Sequence, residues 1–448
     1  MMPTLNATLS PAHSSPLTLH WTEKNQSRTA LWRSERGALP PKRVVLADDT
    51  LSADSAYRQA CEGTGLLWRG DFQNARLLLQ ALTRRIDKPP KASKTAKMGR
   101  KKALAQAETG VPGGEAFHLY RQAKAQRARV LGMVLIEFAP DYGVALRRAP
   151  DAKQACTEAW GSSSAPTLVA SPTTLPAEGE VPLKGSLSVE RDIAAGPSVA
   201  SLRELMGVIS AHEWRKKGVE IPALTSAGAA VAKAAPNNRI YPHYGVFSPV
   251  RGEYVDLVAK APLPKKRPPK FVAFDIGTGT GVLAAVLALR EVDQVVATDQ
   301  DERALACAKE NIYKLRLPNP VKVMQADLFP EGLASVIVCN PPWLPARPGS
   351  PLEGAVYDEG SRMLLGFIKG LAAHLAPGGE GWLILSDFAE HLGLRTRAEL
   401  LAAIAAGGLK VLGKMDVKPE HPKALDASNP LAEARAKEVT SLWRLGAA

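Results

Sequence analysis

Between Phe271 and Leu289 a strand, a glycine-rich turn and an apolar helix follow one another without a gap, and no other stretch restricts the fold so tightly. Residues 271–274 (Phe-Val-Ala-Phe) read as a strand and Val282 to Leu289 as a helix, with Asp275-Ile-Gly277-Thr278-Gly279-Thr-Gly281 between them. Glycine reaches left-handed backbone conformations and lets a second backbone or a ligand come close. The alternation then continues. Strands are expected at 294–297, 321–325, 333–339, 381–385, 409–415 and 440–444, and helices at 303–315, 362–375 and 397–406. Strands alternating with helices of this length give an α/β fold, a doubly wound and mainly parallel seven-stranded sheet covered on both faces. Right-handed crossovers put ligand sites at the C-terminal strand ends, beside the topological switch point.

The chain before this stretch has a different texture. At roughly 100–200 residues per domain, 448 residues suggest two or three domains. Residues 1–16 are polar and Pro/Ser-rich and are expected to be disordered. Residues 17–160 read as a smaller α+β region, with a strand at 43–47, a helix at 72–82 and a basic helix at 115–129. A strand pair is expected there too, 130–138 with 143–147, across a Pro-Asp-Tyr-Gly turn. Within this region 86–114 is a Lys/Pro/Gly-rich connector. Residues 161–199 are expected to be a linker, 200–269 a helical then extended lead-in, and 270–448 the main α/β domain.

The formal net charge is +13, which favours a polyanionic partner. Nine lysines and arginines lie between Arg84 and Lys102, against the single acid Asp87, and Lys260, Lys265, Lys266, Arg267 and Lys270 form a second cluster. Such runs are either solvated connectors or a nucleic-acid footprint. No apolar run approaches the 18 or more residues of a membrane span, and residues 1–16 lack the apolar core of a secretory signal. The expectation is a cytoplasmic protein with no membrane partner. Cys61, Cys156, Cys307 and Cys339 form no Cys-x-x-Cys or Cys/His cluster, so they read as small buried hydrophobes and not as metal ligands.

Four motifs carry chemistry. The dinucleotide-binding fingerprint puts Gly or Ala where Val282 stands, and a carboxylate at Asp275 repels a pyrophosphate while it suits an ammonium group. Asp299 ends the second strand, 22 residues beyond Gly277, a spacing at which an acid takes both hydroxyls of a ribose; Asp301 competes for that role. Asp327 follows the third strand, placed either to accept from the exocyclic amine of adenine or to form a turn. Asn340-Pro341-Pro342-Trp343 follows the fourth. The prolines fix the backbone and remove two N–H donors, which leaves carbonyls free. Asn340 adds a side-chain carbonyl and Trp343 a flat ring, a set that suits a planar NH2 group with two acceptors and one stacking face. By itself the tetrapeptide reads as a rigid loop exit with a core tryptophan, but independent signals converge on the same cleft.

Taken together, these motifs resemble class I methyltransferases of the small-domain type with an Asn-Pro-Pro-aromatic motif. That group includes release-factor glutamine N5-methyltransferases, ribosomal-RNA guanine N2-methyltransferases and N6-adenine methyltransferases. Residues 244–258 are similar to the segment that leads into the catalytic domain of the glutamine enzymes. Trp343 stands where Tyr or Phe is commoner, and Val250-Arg-Gly-Glu253 matches the Pro-Arg-Pro-Glu-Thr of that group only loosely. The resemblance implies a Rossmann-like methyltransferase domain, S-adenosylmethionine as methyl donor, no metal, and a nitrogen acceptor. It makes Asn340, Pro341, Pro342 and Trp343 the catalytic set, and Asp275, Gly277, Thr278, Gly279, Gly281, Asp299, Asp327 and Asn340 the cofactor set.

The expected acceptor is an exocyclic amino group of a nucleic-acid base, RNA before DNA. The alternative is a glutamine of a translation factor or ribosomal protein. A small-molecule methyltransferase, an inert RNA-binding scaffold and an NAD-dependent oxidoreductase remain as further classes. No general base is required, and His243, His374 and His391 read as structural or solvated. Residues 1–200 resemble no nameable family, and the oligomeric state is not legible in the sequence.

Overall fold

The computed structural model describes residues 17–87, 113–162, 196–226, 237–250, 252–265, 268–419 and 430–448. They fall into two compact units. One holds the described residues of 1–88 and 127–206, the other those of 89–126 and 207–448. Residues 1–16 and most of the two segments expected as connector and linker, 88–112 and 163–195, lie outside the described residues.

The first unit is built on one sheet of β1 (Thr18–Glu23), β2 (Gln26–Trp32), β3 (Arg43–Ala47), β4 (Thr64–Trp68), β5 (Val134–Phe138) and β6 (Ser198–Ser201), in the order β1-β2-β6-β5-β4-β3. Lys24 and Asn25, both left-handed at φ 50° and 59°, make the two-residue turn of the β1–β2 hairpin. Left-handed residues there match the twist of the flanking strands. β3, β4 and β5 run parallel, with the helices Ala53–Cys61 and Phe72–Asp87 on the crossovers.

Two expectations differ from this sheet. Residues 143–147 are not a strand, because both edges of β5 are taken by β4 and β6. Instead Gly143 O accepts from Ala139 N at 2.8 Å, closing a turn, and Arg147 O accepts from Phe72 N at 3.0 Å. The region expected to end at 160 runs on to Met206, since Ser198–Ser201 is an interior strand between β2 and β5. Four small residues are too short an apolar run to signal a strand. The helix Gly113–Leu131, wholly assigned to the N-terminal region by its sequence position, has its residues to Gln126 grouped with the second unit.

In the second unit β7 (Val219–Glu220) and β8 (Arg239–Ile240) pair antiparallel, and the main sheet follows. Among the described residues it has seven strands: β9 (Val272–Ile276), β10 (Gln294–Asp299), β11 (Val321–Gln325), β12 (Ala334–Cys339), β13 (Leu375–Ser386), β14 (Leu409–Val417) and β15 (Thr440–Ala447). Their order is β11-β10-β9-β12-β13-β15-β14; β15 alone runs against the other six. The doubly wound, mainly parallel sheet expected from the sequence is therefore present, and the switch point lies between β9 and β12.

Successive strand residues alternate between two cores, as the period of two requires. Ala273, Val336, Val338, Trp382 and Ile384 join one core with the helices Glu253–Lys260 and Val282–Ala288. Phe274, Ile337, Cys339, Leu383 and Leu385 join the other with the helices Arg362–His374 and Arg397–Ala406. Cys156, Cys307 and Cys339 are buried as expected, whereas Cys61 is only half-buried.

One buried ion pair ties the antiparallel end of this sheet to the rest. Glu380 on β13 accepts from Arg444 Nε at 2.7 Å and Nη2 at 2.6 Å across the β13–β15 ladder, and from Trp382 Nε1 at 3.1 Å. Removing one member of such a pair leaves a partly buried charge without compensation. Glu380→Ala is expected to lower the unfolding free energy by about 3 kcal/mol, at the low end for such pairs because Arg444 reaches solvent. Urea denaturation checks this; a loss below about 1 kcal/mol, the range of exposed pairs, would show that β15 is held by its backbone ladder and packing alone.

Candidate active site

Strand register brings the motifs to one edge. Ile276 at the end of β9 pairs with Thr298 on one side and Cys339 on the other. The glycine turn, Asp299 and Asn340, each one step further along, therefore emerge side by side at the switch point. Gly277, Gly279 and Gly281 all adopt positive φ, at 70°, 54° and 82°. A Cβ on Gly277 would lie 2.3 Å from the Met363 methyl, one on Gly281 would press on Ala308 of the next helix, and one on Gly279 would meet open space. So Gly281 seats the helix that starts at Val282, and Gly279 leaves its backbone facing open space. Val282 itself is buried in the core.

Asp275 organises the turn from beneath. Its carboxylate is 1% exposed, and Oδ2 accepts from Thr278 Oγ1 at 2.7 Å and Ala284 N at 2.9 Å. Oδ1 is buried and has no hydrogen-bond partner. Burial pushes the carboxyl up to about 7, despite the donation from Thr278 and Ala284. Asp299 accepts from Gly279 N and Asp301 N, each at 3.0 Å, which fixes its carboxylate against the glycine turn; burial raises its pKa as well. Asp301, the sequence competitor, is occupied as the helix N-cap and accepts from Arg303 N at 2.8 Å.

Two expected residues sit differently from their neighbours. Asp327 lies two residues beyond the end of β11 with its side chain 61% exposed. Gln300 Nε2 donates to one of its oxygens and Arg362 Nη2 to the other, at 2.8 Å, so it does not join Asp275 and Asp299 in burial. Trp343 was expected as a free stacking face. Its ring is half-buried and packs against both core clusters, and its Nε1 donates to Asn340 Oδ1 at 3.0 Å. The tryptophan thus braces the asparagine and takes up one lone pair of its oxygen, leaving one for a ligand.

The lead-in before β9 is stitched to the helix Glu302–Leu315. Tyr241 N donates to Asn311 Oδ1 at 2.8 Å, and His243 Nε2 lies 2.6 Å from Glu310 Oε2. Burial alone would raise the Glu310 carboxyl, but Lys314, His243 and Arg215 hold it at about 2. His374 bonds the Gly370 carbonyl at 2.8 Å and stacks on Phe329, and His391 lies 3.4 Å from Asp387, so these histidines hold structure.

Residues 237–394 match the family model described as the methyltransferase small domain. That segment is similar to this family over about a third of the chain. A release factor glutamine methyltransferase of Caulobacter vibrioides is 32% identical over 176 residues, 36% of this chain and 61% of that protein. A tRNA1(Val) (adenine(37)-N6)-methyltransferase of Pedobacter heparinus is 32% identical over 117 residues, 25% of this chain and 50% of that protein. A ribosomal protein L11 methyltransferase of Carboxydothermus hydrogenoformans is 41% identical over 73 residues, 16% of this chain and 24% of that protein. The chain therefore spans at most 61% of the length of these relatives.

Two further residues beside the glycine turn carry no sequence motif. Met363 closes on Gly277, and its N–H donates to Asp358 Oδ2 at 2.7 Å. Asp358 is half-buried, which raises its carboxyl. Met363 and Asp358 lie on a loop-to-helix junction with no motif, so only their place after Asn340-Pro-Pro-Trp343 would have pointed to them.

The buried Asp275 has a consequence for stability. Its pKa is near 3.8 when exposed and about 7 in the fold, so the folded state binds the extra proton between those values. The contribution of this group is complete below pH 3.8 and is lost as pH rises through 7. Asp275→Asn removes that term. Chemical denaturation of the ligand-free protein is expected to show wild-type stability falling from pH 5 to pH 8 relative to the variant; equal slopes for the two proteins would show that Asp275 ionises freely.

Proposed function

We propose that this chain is an S-adenosylmethionine-dependent N-methyltransferase whose acceptor is a planar exocyclic amino group of a nucleic-acid base, RNA before DNA. One observation carries it: the register that sets Asp275 and the glycine turn, Asp299, and Asn340-Pro341-Pro342 side by side at the switch point. The residues fit the cofactor. Asp275 has an orphaned buried oxygen for an ammonium, Gly277 to Gly281 give an open backbone cradle, and Asp299 is held in place to take ribose hydroxyls. Asp327, at the rim beside Gln300 and Arg362, would edge the adenine side.

When bound, the cofactor supplies an activated sulfonium methyl group. The protein's task is then to present a poor nucleophile in line. The free lone pair of Asn340 Oδ1 and the Pro341 carbonyl accept the two N–H bonds of the acceptor amine. Both bonds strengthen as positive charge grows on that nitrogen, so they favour the transition state over the ground state. Trp343 fixes the asparagine so that this orientation costs little when the acceptor arrives. The acceptor's proton leaves after transfer, and no side chain is needed as base.

The net charge of +13 and the basic run from Arg84 to Lys102, which from Lys88 lies outside the described residues, favour a nucleic acid. The adenine N6 enzyme among the relatives supports the same acceptor chemistry. The longer match to a release factor glutamine methyltransferase favours a second reading, a glutamine amide of a translation-associated protein in the same cradle. Transfer of tritiated methyl from S-adenosylmethionine into a cell extract separates them. Label released by nuclease supports the first, label released only by protease the second, and no label at all contradicts both.

Calorimetry with S-adenosylhomocysteine is expected to show Asp299→Ala weakening binding by about 1.5–3 kcal/mol, the range for hydrogen bonds to a charged group. Affinity is also expected to rise from pH 6 to pH 8 as Asp275 ionises, and to lose that dependence in Asp275→Asn. Binding of NAD in place of this ligand would overturn the cofactor assignment. Asn340→Ala should lower turnover by ~10²–10³-fold, the scale for one preorganised transition-state contact, a far larger change than any in cofactor affinity. Near-normal turnover in that variant would point to an oxygen or carbon acceptor.

A further inference from the structure

The helix Gly113–Leu131 precedes the family-matched segment in sequence, yet its residues to Gln126 belong to the same compact unit. Phe117, fully buried, packs with Leu344, Phe388, Leu392 and Leu431. One helical turn on, Arg121 makes three contacts with a single loop. Its Nη2 donates to the Arg347 carbonyl at 2.6 Å, its guanidinium lies over the Tyr357 ring at 4.1 Å, and the Glu353 carboxylate is 3.9 Å away.

That loop, residues 344–358, begins directly after Asn340-Pro-Pro-Trp343. Its ends are zipped together, with Leu344 N donating to Val356 O at 3.2 Å and Asp358 N to Leu344 O at 2.9 Å. Asp358 then holds the Met363 N–H, and Met363 abuts Gly277. A continuous line of contacts therefore runs from Arg121 through the loop to both the Asn-Pro-Pro motif and the glycine turn. Arg121 Nη1 is buried without a partner, so the side chain is held by its loop contacts and not by satisfaction of every donor it owns.

We propose that Arg121 is a positioning residue for the acceptor: it locks the 344–358 loop beside Asn340-Pro341-Pro342-Trp343, so that a helix outside the family-matched segment completes the acceptor cleft. This rests on the reading of Asn340 and Pro341 as the acceptor site. An arginine suits the task because a planar guanidinium stacks on a ring and donates in its own plane at once, which a lysine ammonium does not.

The test uses the full chain and three proteins: wild type, Arg121→Ala and Arg121→Lys. Hydrogen exchange read by mass spectrometry is expected to show the amides of 344–358 exchanging at least tenfold faster in Arg121→Ala, with the amides of β9 and β12 unchanged. S-adenosylhomocysteine affinity should fall by clearly less than kcat, because the glycine turn is reached only at second hand, through Asp358 and Met363. With total cellular RNA as acceptor, kcat should fall tenfold or more while KM moves less than threefold, and Arg121→Lys should restore neither exchange nor kcat. Unchanged exchange in Arg121→Ala overturns the proposal. Full rescue by Arg121→Lys overturns it too, since a charge contact to the acceptor would then suffice, and so does a parallel loss of cofactor affinity and melting temperature. If wild type transfers no methyl group to RNA or protein, it is the proposed function that fails, and the exchange measurement still decides the role of Arg121.

Discussion

The register of β9 against β10 and β12 is the constraint on which the rest depends. Each of these strands is buried on both faces, and its alternate residues are committed to different cores. A slip of one residue would swap Ala273 with Phe274 and send every side chain to the wrong face. Packing therefore fixes the register, and the register fixes which residues meet at the strand ends. Asp299 and Asn340 are neighbours of the glycine turn because Thr298 and Cys339 are the partners of Ile276. The hydrophobic cores set which residues meet at the site, and its own hydrogen bonds then orient their side chains.

Within that frame the energetic tension is concentrated at Asp275. Burial opposes its charge, and two donors serve one oxygen while the other has none. A fold selected for stability alone would place a neutral residue here. A carboxylate held half-satisfied under a glycine cradle is instead suited to a ligand that brings a positive charge. Asp299 is arranged differently: hydrogen bonds from the Gly279 and Asp301 amides already fix its carboxylate.

The second unit was legible because its signals are local and mutually consistent. Strand, turn and helix from Phe271 to Leu289 and the acid-ended strand at Asp299 need no distant partner to be recognised. The start of β13 was not legible: Ala376-Pro-Gly-Gly reads as a turn, yet the strand runs from Leu375 to Ser386. In the first unit, β6 is not legible because Ser198–Ser201 carries no apolar pattern of its own and is buried only by its place between β2 and β5. The sequence of 115–129 reads as a basic helix of the N-terminal region, and the packing of Phe117 on Leu344 and Phe388 is a long-range fact that periodicity does not carry. Trp343 was visible as a motif residue, but its bond to Asn340 depends on a rotamer that packing selects.

The most direct test of the account is to map where S-adenosylhomocysteine protects backbone amides in the wild-type protein, residue by residue, by hydrogen exchange under native conditions. The account predicts protection centred on Gly277 to Gly281 and on the amides that follow Asp299 and Cys339, with little change in the first unit. Protection elsewhere, or at these amides with NAD but not with S-adenosylhomocysteine, would contradict it.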